Sequence, residues 1–120
     1  MLADRFIKSA AVYIILGMIM GIYMAATKDH SQMPTHAHLN LLGWVTMGLM
    51  GLVYKNWPAV AEAKLAKLTY WLAHVSVIGI TVGIGLLYAG MMQYEPIAII
   101  SSLVALFNMA LFAFLFFKNT

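Results

Sequence analysis

Four long apolar runs, separated by short polar segments, constrain the fold of this chain more than any other feature. Of its 120 residues, 63% are hydrophobic and only 9% are charged, whereas a soluble domain carries about 25% charged residues. A helix needs about 20 mostly apolar residues to cross a bilayer. Four segments meet this requirement, and we expect helices over about 6–26, 34–54, 65–89 and 96–117. The sequence therefore predicts an all-α, four-transmembrane-helix bundle that forms one integral membrane domain, residues 1–120, in contact with the lipid bilayer.

The distribution of basic residues predicts how these helices are oriented. Cytoplasmic loops of membrane proteins are enriched in Lys and Arg. Six of the seven basic residues fall on one side of the predicted bundle: Arg5, Lys8, Lys55, Lys64, Lys67 and Lys118. We therefore expect both termini to be cytoplasmic, in a bacterial or archaeal cell membrane, with Lys28 as the single cation at the outer side. No basic patch with interleaved aromatic residues points to a nucleic-acid partner.

Two histidines, His36 and His38, stand at the predicted outer start of the second apolar run. A helix turns about 100° per residue, so side chains at i and i+2 point to nearly opposite sides. The pair therefore cannot readily hold one ion together, but it can serve two separate sites. Because neutral imidazole is a favoured ligand of haem iron, copper and zinc, the two residues are interpreted either as metal ligands or as polar residues near the headgroups.

A third histidine, His74, lies about ten residues into the third apolar run. It is a candidate metal ligand, and the alternative is a hydrogen bond across the bundle to a polar residue on a nearby turn or helix, for example Ser76, Thr81 or Asn108. Since His38 and His74 are expected at different depths, an intrachain His38–iron–His74 pair is geometrically unfavourable.

Small residues recur at helical spacing in two of the predicted spans. Gly17, Gly21 and Ala25 form one such stripe, and Gly79 and Gly83 form another. Stripes of this kind allow two helices to approach closely in lipid. They predict packing between helices of one chain, with self-association as the alternative.

The segment His36–Met50, HAHLNLLGWVTMGLM, resembles the tenth helix of the catalytic subunit of haem–copper oxidases. It is most similar to the branch that contains the C-type oxidases and nitric oxide reductases. In that family, a His-x-His followed by Leu-Gly-Trp opens the helix at the outer side. A weaker similarity continues through Tyr54–Pro58 and Leu68–Leu72, so that the resemblance covers roughly residues 34–90.

The resemblance implies that His36 and His38 each face a haem b, His36 the high-spin haem and His38 the low-spin one. Lys28 is the outer cation placed to take part in cofactor binding, and His74 stays a candidate metal ligand. The family's catalytic subunit has about twelve spans, which look like three four-helix arcs. A homotrimer of this chain would mimic it, with His36 of one protomer facing His38 of the next across a haem.

The expected function is therefore that of a b-type haem membrane protein, in electron transfer or in redox or gas sensing. The family's copper ligands come from helices that this chain lacks, so whether it is an oxidoreductase stays open. A copper-binding membrane protein is the main alternative, because three histidines and four methionines lie near the outer ends of the spans: His30, His36, His38, Met24, Met33, Met91 and Met92. A cofactor-free subunit of a respiratory complex is the other.

Overall fold

The computed structural model describes residues 1–120, and all of its regular structure is helical. Its long helices are α1 (Leu2–Thr27), α2 (Met33–Asn56), α4 (Ala66–Tyr88) and α5 (Glu95–Asn119). A short helix, α3 (Pro58–Ala61), connects α2 to α4, and a 3-10 turn (Met92–Tyr94) precedes α5. Four helical segments are long and apolar enough to cross a membrane. This confirms the predicted all-α fold with four candidate spans and indicates an integral membrane protein.

The helices start and end close to the predicted limits of the apolar runs. Helices α1, α2 and α5 extend beyond those limits by up to four residues at an end, because helical hydrogen bonding continues into the polar flanks. Pro34 and Pro96 both lie in the first turn of a helix, where the missing N–H costs nothing. Helix α1 ends at Thr27, and the next residue, Lys28, caps it in a left-handed conformation with φ of 56°.

The four long helices run alternately up and down, so the molecule has two chemically different ends. We call residues 28–38 and 89–95 the histidine end, and residues 1–8, 54–67 and 115–120 the lysine end. At the lysine end, Lys55 Nζ lies 3.2 Å from Asp4 Oδ1. There too the rings of Trp57 and Phe116 pack edge to face with centroids 5.2 Å apart.

The bundle is a flattened layer rather than a square. It measures 46 × 28 × 17 Å along its principal axes. Helices α2 and α4 form the central pair, α1 packs mainly on α2, and α5 packs mainly on α4. As a result, α1 and α5 lie at opposite edges and leave long apolar faces exposed, for example at Ile19 and Leu106. Such faces suit contact with lipid.

The small-residue stripes mediate contacts within the chain. A Cβ atom at Gly83 would lie 2.5 Å from the backbone nitrogen of Ala98, so the close approach of α4 and α5 requires glycine there. The other contacts are Gly17 with the Asn40 side chain, Gly21 with the His36 ring and Gly79 with the Ser101 side chain. Intramolecular packing is thereby confirmed for these four glycines, whereas Ala25 is exposed.

A hydrogen-bonded aromatic core holds α2, α4 and α5 together near the lysine end. Tyr54 is 1% exposed, and its hydroxyl lies 2.7 Å from Thr69 Oγ1. Asn108 Nδ2 donates to the carbonyl oxygen of Thr69 at 3.1 Å. The Tyr54 ring also packs against Phe6 and Phe112, each with a centroid distance of 5.4 Å. Polar groups buried within membrane helices must find partners inside the protein, and this core provides them for every one of these groups except Asn108 Oδ1.

Candidate functional site

Immediately after the histidine pair, α2 widens into a π-helix over Leu39–Thr46. The N–H of Met47 donates to the carbonyl oxygen of Leu42, five residues earlier. The hydroxyl of Thr46 donates to the carbonyl oxygen of Leu41 at 2.8 Å. Regular α-helix was expected here, and the sequence carried no signal for the wider form. Although π-helical turns are rare overall, those that occur are often at functional sites. The histidine pair that precedes this segment is therefore a candidate site.

His36 lies in the interface between α2 and α1. The ring is half-buried, and its Cε1 would be 3.0 Å from a Cβ atom placed on Gly21. The only hydrogen-bond partner of the ring is Asn40, whose Nδ2 lies 3.4 Å from His36 Nε2. Both His36 Nδ1 and Asn40 Oδ1 are buried without a hydrogen-bond partner. A buried polar atom without a partner costs about 1–3 kcal/mol, so this cluster is polar but poorly satisfied.

His38 is exposed, and its ring is oriented by its own helix. Its Nδ1 lies 2.7 Å from the carbonyl oxygen of Pro34. Because a carbonyl can only accept, the proton of the neutral ring is on Nδ1 and the lone pair is on Nε2. A hydrogen bond from one ring nitrogen to a backbone carbonyl is the usual support for a histidine whose other nitrogen binds a metal. His36 thus contacts α1 while His38 is exposed, in keeping with their i, i+2 spacing.

His74 takes part in a polar contact between α4 and α1. Its Nδ1 lies 2.5 Å from the hydroxyl of Tyr13, and its ring packs edge to face on Tyr70 at 4.6 Å. The Tyr70 hydroxyl in turn lies 2.8 Å from Ser9 Oγ. The alternative of a hydrogen bond across the bundle is therefore the one observed, but with a partner that was not among those considered.

None of the three partners considered for His74 forms a hydrogen bond with it. Ser76 Oγ donates to the carbonyl oxygen of Leu72, Asn108 bonds the backbone of Thr69, and Thr81 Oγ1 is buried without a partner. Tyr13 was missed because, in a helix that is apolar all round, periodicity does not show which face meets a neighbouring helix.

The structure does not bring His36, His38 and His74 together. On α1, Tyr13 lies eight residues before Gly21, so the residues that contact His74 and His36 are separated by about 12 Å along the helix. No cluster of three or more His, Cys, Asp or Glu side chains could hold a metal ion within one chain. A site that used more than one of these histidines would need a second chain or a rearranged side chain.

Other residues fix the histidine end, and they were not singled out from the sequence. Gln32 Nε2 donates to the carbonyl oxygen of Gly85 on α4 at 2.9 Å, and the hydroxyl of the buried Thr35 donates to Gln32 Oε1 at 2.6 Å. The sequence feature that could have identified Gln32 and Thr35 was their position next to Pro34, at the start of a helix. Together they hold the first turn of α2, and hence the histidine pair, against α4.

The remaining predicted site residues lie at the surface of the histidine end. Lys28 and His30 are exposed. Asp29 is exposed as well, and the Ser31 backbone N–H, 3.0 Å from Asp29 Oδ1, lowers the pKa of its carboxyl below the ordinary value. Of the methionines considered as copper ligands, Met24 is buried, and the exposed ones are Met33, Met91 and Met92.

A scan of protein-family models, a search of curated proteins and a search of solved structures each find no match to this chain. The chemistry of the histidine end is therefore inferred from its own residues.

Proposed function

We propose that this chain is a b-type haem membrane protein that functions in electron transfer, with His38 as its principal haem ligand. The observation that carries the proposal is the orientation of the His38 ring. Its Nδ1–H is held by the Pro34 carbonyl, so Nε2 presents a free lone pair on the exposed side of α2. The resemblance of the surrounding His-Ala-His and Leu-Gly-Trp residues to the haem-binding helix of haem–copper oxidases supports the same function.

His38 and His36 differ in whether they could bind a haem without a change of side-chain conformation. His38 needs no rearrangement, because its ring is exposed. Two cavities, of about 610 and 440 Å³, lie at the lysine end and not beside His38. Because His38 is exposed, a haem bound by it would rest on the surface of α2. His36 does not fit as a ligand in its present rotamer, because its ring packs on Gly21. Rotation of the His36 ring away from α1 would break only one long contact, to Asn40. It would also expose His36 Nδ1, which is buried without a hydrogen-bond partner.

A second chain would complete this surface site. We propose a homotrimer in which His38 of one protomer and a rotated His36 of the next supply the two imidazoles, with Lys28 near the same end. Haem b, when bound, supplies a one-electron redox centre. Two histidine ligands leave no open coordination position, which favours electron transfer over gas binding or catalysis.

The proposed orientation places the histidine end at the outer side of the membrane and the lysine end in the cytoplasm. It is supported by the positive-inside rule, since six of the seven basic residues belong to the lysine-end side of the bundle.

The test is an optical spectrum of protein purified in detergent after haem-supplemented expression, oxidised and then reduced with dithionite. We expect a Soret band that sharpens on reduction, with split visible bands of a low-spin haem. A pyridine haemochrome assay gives the haem per chain. Colourless wild-type protein would overturn the proposal, and a copper titration would then test the alternative cofactor.

Histidine variants locate the ligand. His38→Ala is expected to abolish haem binding, and His36→Ala to remove the low-spin bands. The matched control is His30→Ala, which removes an exposed histidine at the same end and should leave the spectrum unchanged. Unchanged haem content in His38→Ala would rule out His38 as the principal ligand.

A further inference from the structure

Two adjoining cavities at the lysine end carry an excess of positive charge. The larger, of about 610 Å³, is lined by Lys55, Lys64 and Lys67 together with Glu62. The smaller, of about 440 Å³, is lined by Lys64 and Lys118 and by no acidic residue. Lys64 therefore borders both cavities.

Most of this positive charge has no acidic partner in the chain. The only salt bridge of the structure joins Lys55 to Asp4. Lys64, Lys67 and Lys118 make no such contact, and Glu62 is the one carboxylate in the lining of the two cavities. The pair of cavities is thus suited to anionic groups.

The segment between the cavities is a folded structure. Val60, in the short helix α3, is 0% exposed and belongs to the core. Its N–H donates to the carbonyl oxygen of Trp57 at 2.9 Å, and the N–H of Ala66 donates to that of Ala63 at 3.0 Å. Lys64 is therefore presented by a backbone that is anchored on both sides.

The walls of the cavities identify the class of anion. Leu2 and Pro58 line the larger cavity, and Phe114 and Leu115 line the smaller one. These residues lie at or near the lysine end, next to the apolar helix surfaces that are suited to contact with lipid. A ligand that satisfies both features carries phosphate groups at a polar head and apolar chains beside it.

We infer that the lysine end binds an anionic phospholipid with two phosphate groups, of the cardiolipin class, with one phosphate in each cavity and Lys64 between them. Lysine binds phosphate as a point charge, and basic pockets between membrane helices on the cytoplasmic side bind such headgroups. The inference does not depend on haem binding, because it rests on residues at the opposite end of the bundle.

The positive-inside rule by itself would also place lysines at this end, and the chain offers a control for that explanation. Lys8 belongs to the lysine end and is exposed, but it lines neither cavity. Lys64→Gln and Lys8→Gln remove the same charge from the same side of the membrane. A specific binding site would be weakened by Lys64→Gln and not by Lys8→Gln, whereas diffuse charge attraction would be weakened equally by both.

The experiment is native mass spectrometry of the delipidated full chain in a neutral detergent, with cardiolipin, phosphatidylglycerol or phosphatidylcholine added at equal phosphate concentration. We expect cardiolipin to bind at least about tenfold more tightly than phosphatidylcholine, and more tightly than phosphatidylglycerol. Lys64→Gln should weaken cardiolipin binding about fivefold, as expected for one basic residue near a membrane surface. Lys8→Gln should change it less than twofold.

Several results would overturn the inference. Equal binding of cardiolipin and phosphatidylcholine would exclude an anionic lipid site, and equal binding of cardiolipin and phosphatidylglycerol would exclude the two-phosphate assignment. Equal weakening by Lys64→Gln and Lys8→Gln would show diffuse charge attraction. Inorganic pyrophosphate that competes as well as the lipid would assign the site to a soluble anion. Lys64→Arg, which keeps the charge, should retain binding, and circular dichroism checks that each variant is folded.

Discussion

The half of the bundle nearer the lysine end, called here the lysine half, and the half nearer the histidine end, the histidine half, bury their polar side chains differently. In the lysine half, the Thr69 hydroxyl donates to the carbonyl oxygen of Ala66 at 2.6 Å, so the Tyr54 hydroxyl donates to Thr69 Oγ1. Only one buried side-chain atom there, Asn108 Oδ1, lacks a partner. In the histidine half, three such atoms lack one: His36 Nδ1, Asn40 Oδ1 and Thr81 Oγ1.

This difference predicts which half contributes more to stability. A hydrogen-bonded network in an apolar surrounding fixes one arrangement of the helices, whereas an unpartnered polar group lowers stability. In the histidine half, the unpartnered atoms coincide with a π-helical segment and with a ring, His36, that loses little by moving. The comparison therefore predicts that the lysine half contributes more to stability, and it is in keeping with the proposal that a ligand binds in the histidine half.

Truncation of Tyr54 is expected to have the largest effect. Tyr54→Ala removes a buried ring that contacts Phe6 and Phe112, together with its hydrogen bond. Large-to-small aromatic substitutions in protein cores cost about 3–5 kcal/mol. The free energy of unfolding, measured by titration with SDS in mixed micelles, should fall by about that amount.

Two further variants complete this comparison of the halves. Tyr54→Phe keeps the ring and should cost only about 0.6 kcal/mol, the average for a hydrogen bond between membrane helices. Asn40→Ala, in the histidine half, removes an unpartnered oxygen and one long contact to His36, and it should cost about 1 kcal/mol or less. If Asn40→Ala were as damaging as Tyr54→Ala, the two halves would not differ in the way proposed.

A smaller effect is expected where Asn40 packs on α1. A Cβ atom at Gly17 would overlap the Asn40 side-chain oxygen, and overpacking of this kind costs about 1–3 kcal/mol. Gly17→Ala should therefore destabilise the protein, and Gly17→Ala combined with Asn40→Ala should recover most of the loss. The coupling free energy from this double-mutant cycle measures the contact. Additive effects would mean that the α1–α2 interface relaxes at no cost.

The sequence predicted the helices and their close packing, but not the polar partners. Apolar runs of about 20 residues mark the spans directly, and glycines at i and i+4 mark faces where helices approach, as found at Gly79 and Gly83. In a membrane protein, however, the buried and the lipid-facing sides of a helix are both apolar. Periodicity therefore did not show that Tyr13 and His74 share an interface.

The π-helix was unpredictable for another reason. Its widening is a change in backbone hydrogen-bond register over Leu39–Thr46, and no residue type requires that register. For the candidate site, the i, i+2 spacing was enough to predict that His36 and His38 differ in surroundings. The rotamer of His36 and the hydrogen bond of His38 to Pro34 depend on tertiary and local geometry that only the structure provides.

A still smaller effect is expected at the hydrogen bond that joins α1 to α4. Tyr13→Phe removes the hydroxyl bonded to His74 Nδ1 and should cost about 0.6 kcal/mol, with about 1.7 kcal/mol as the upper range for such bonds. The SDS titration gives this loss, and Tyr23→Phe, at an exposed tyrosine of the same helix, is the control. Equal stability of the two variants would mean that the Tyr13–His74 contact does not help to hold the bundle together.

The smallest effect is expected at Asp29, in the connection that leads to the histidine pair. The Ser31 N–H favours the charged carboxylate and lowers its pKa, so the stabilisation is present above the ordinary pKa of the group. It is lost as the pH falls through the lower pKa of the folded protein. Asp29→Asn should therefore melt slightly below the wild type at pH 7, and the two melting temperatures should converge below about pH 4. A difference that persists at low pH would mean that the contribution of Asp29 to stability does not come from its charge.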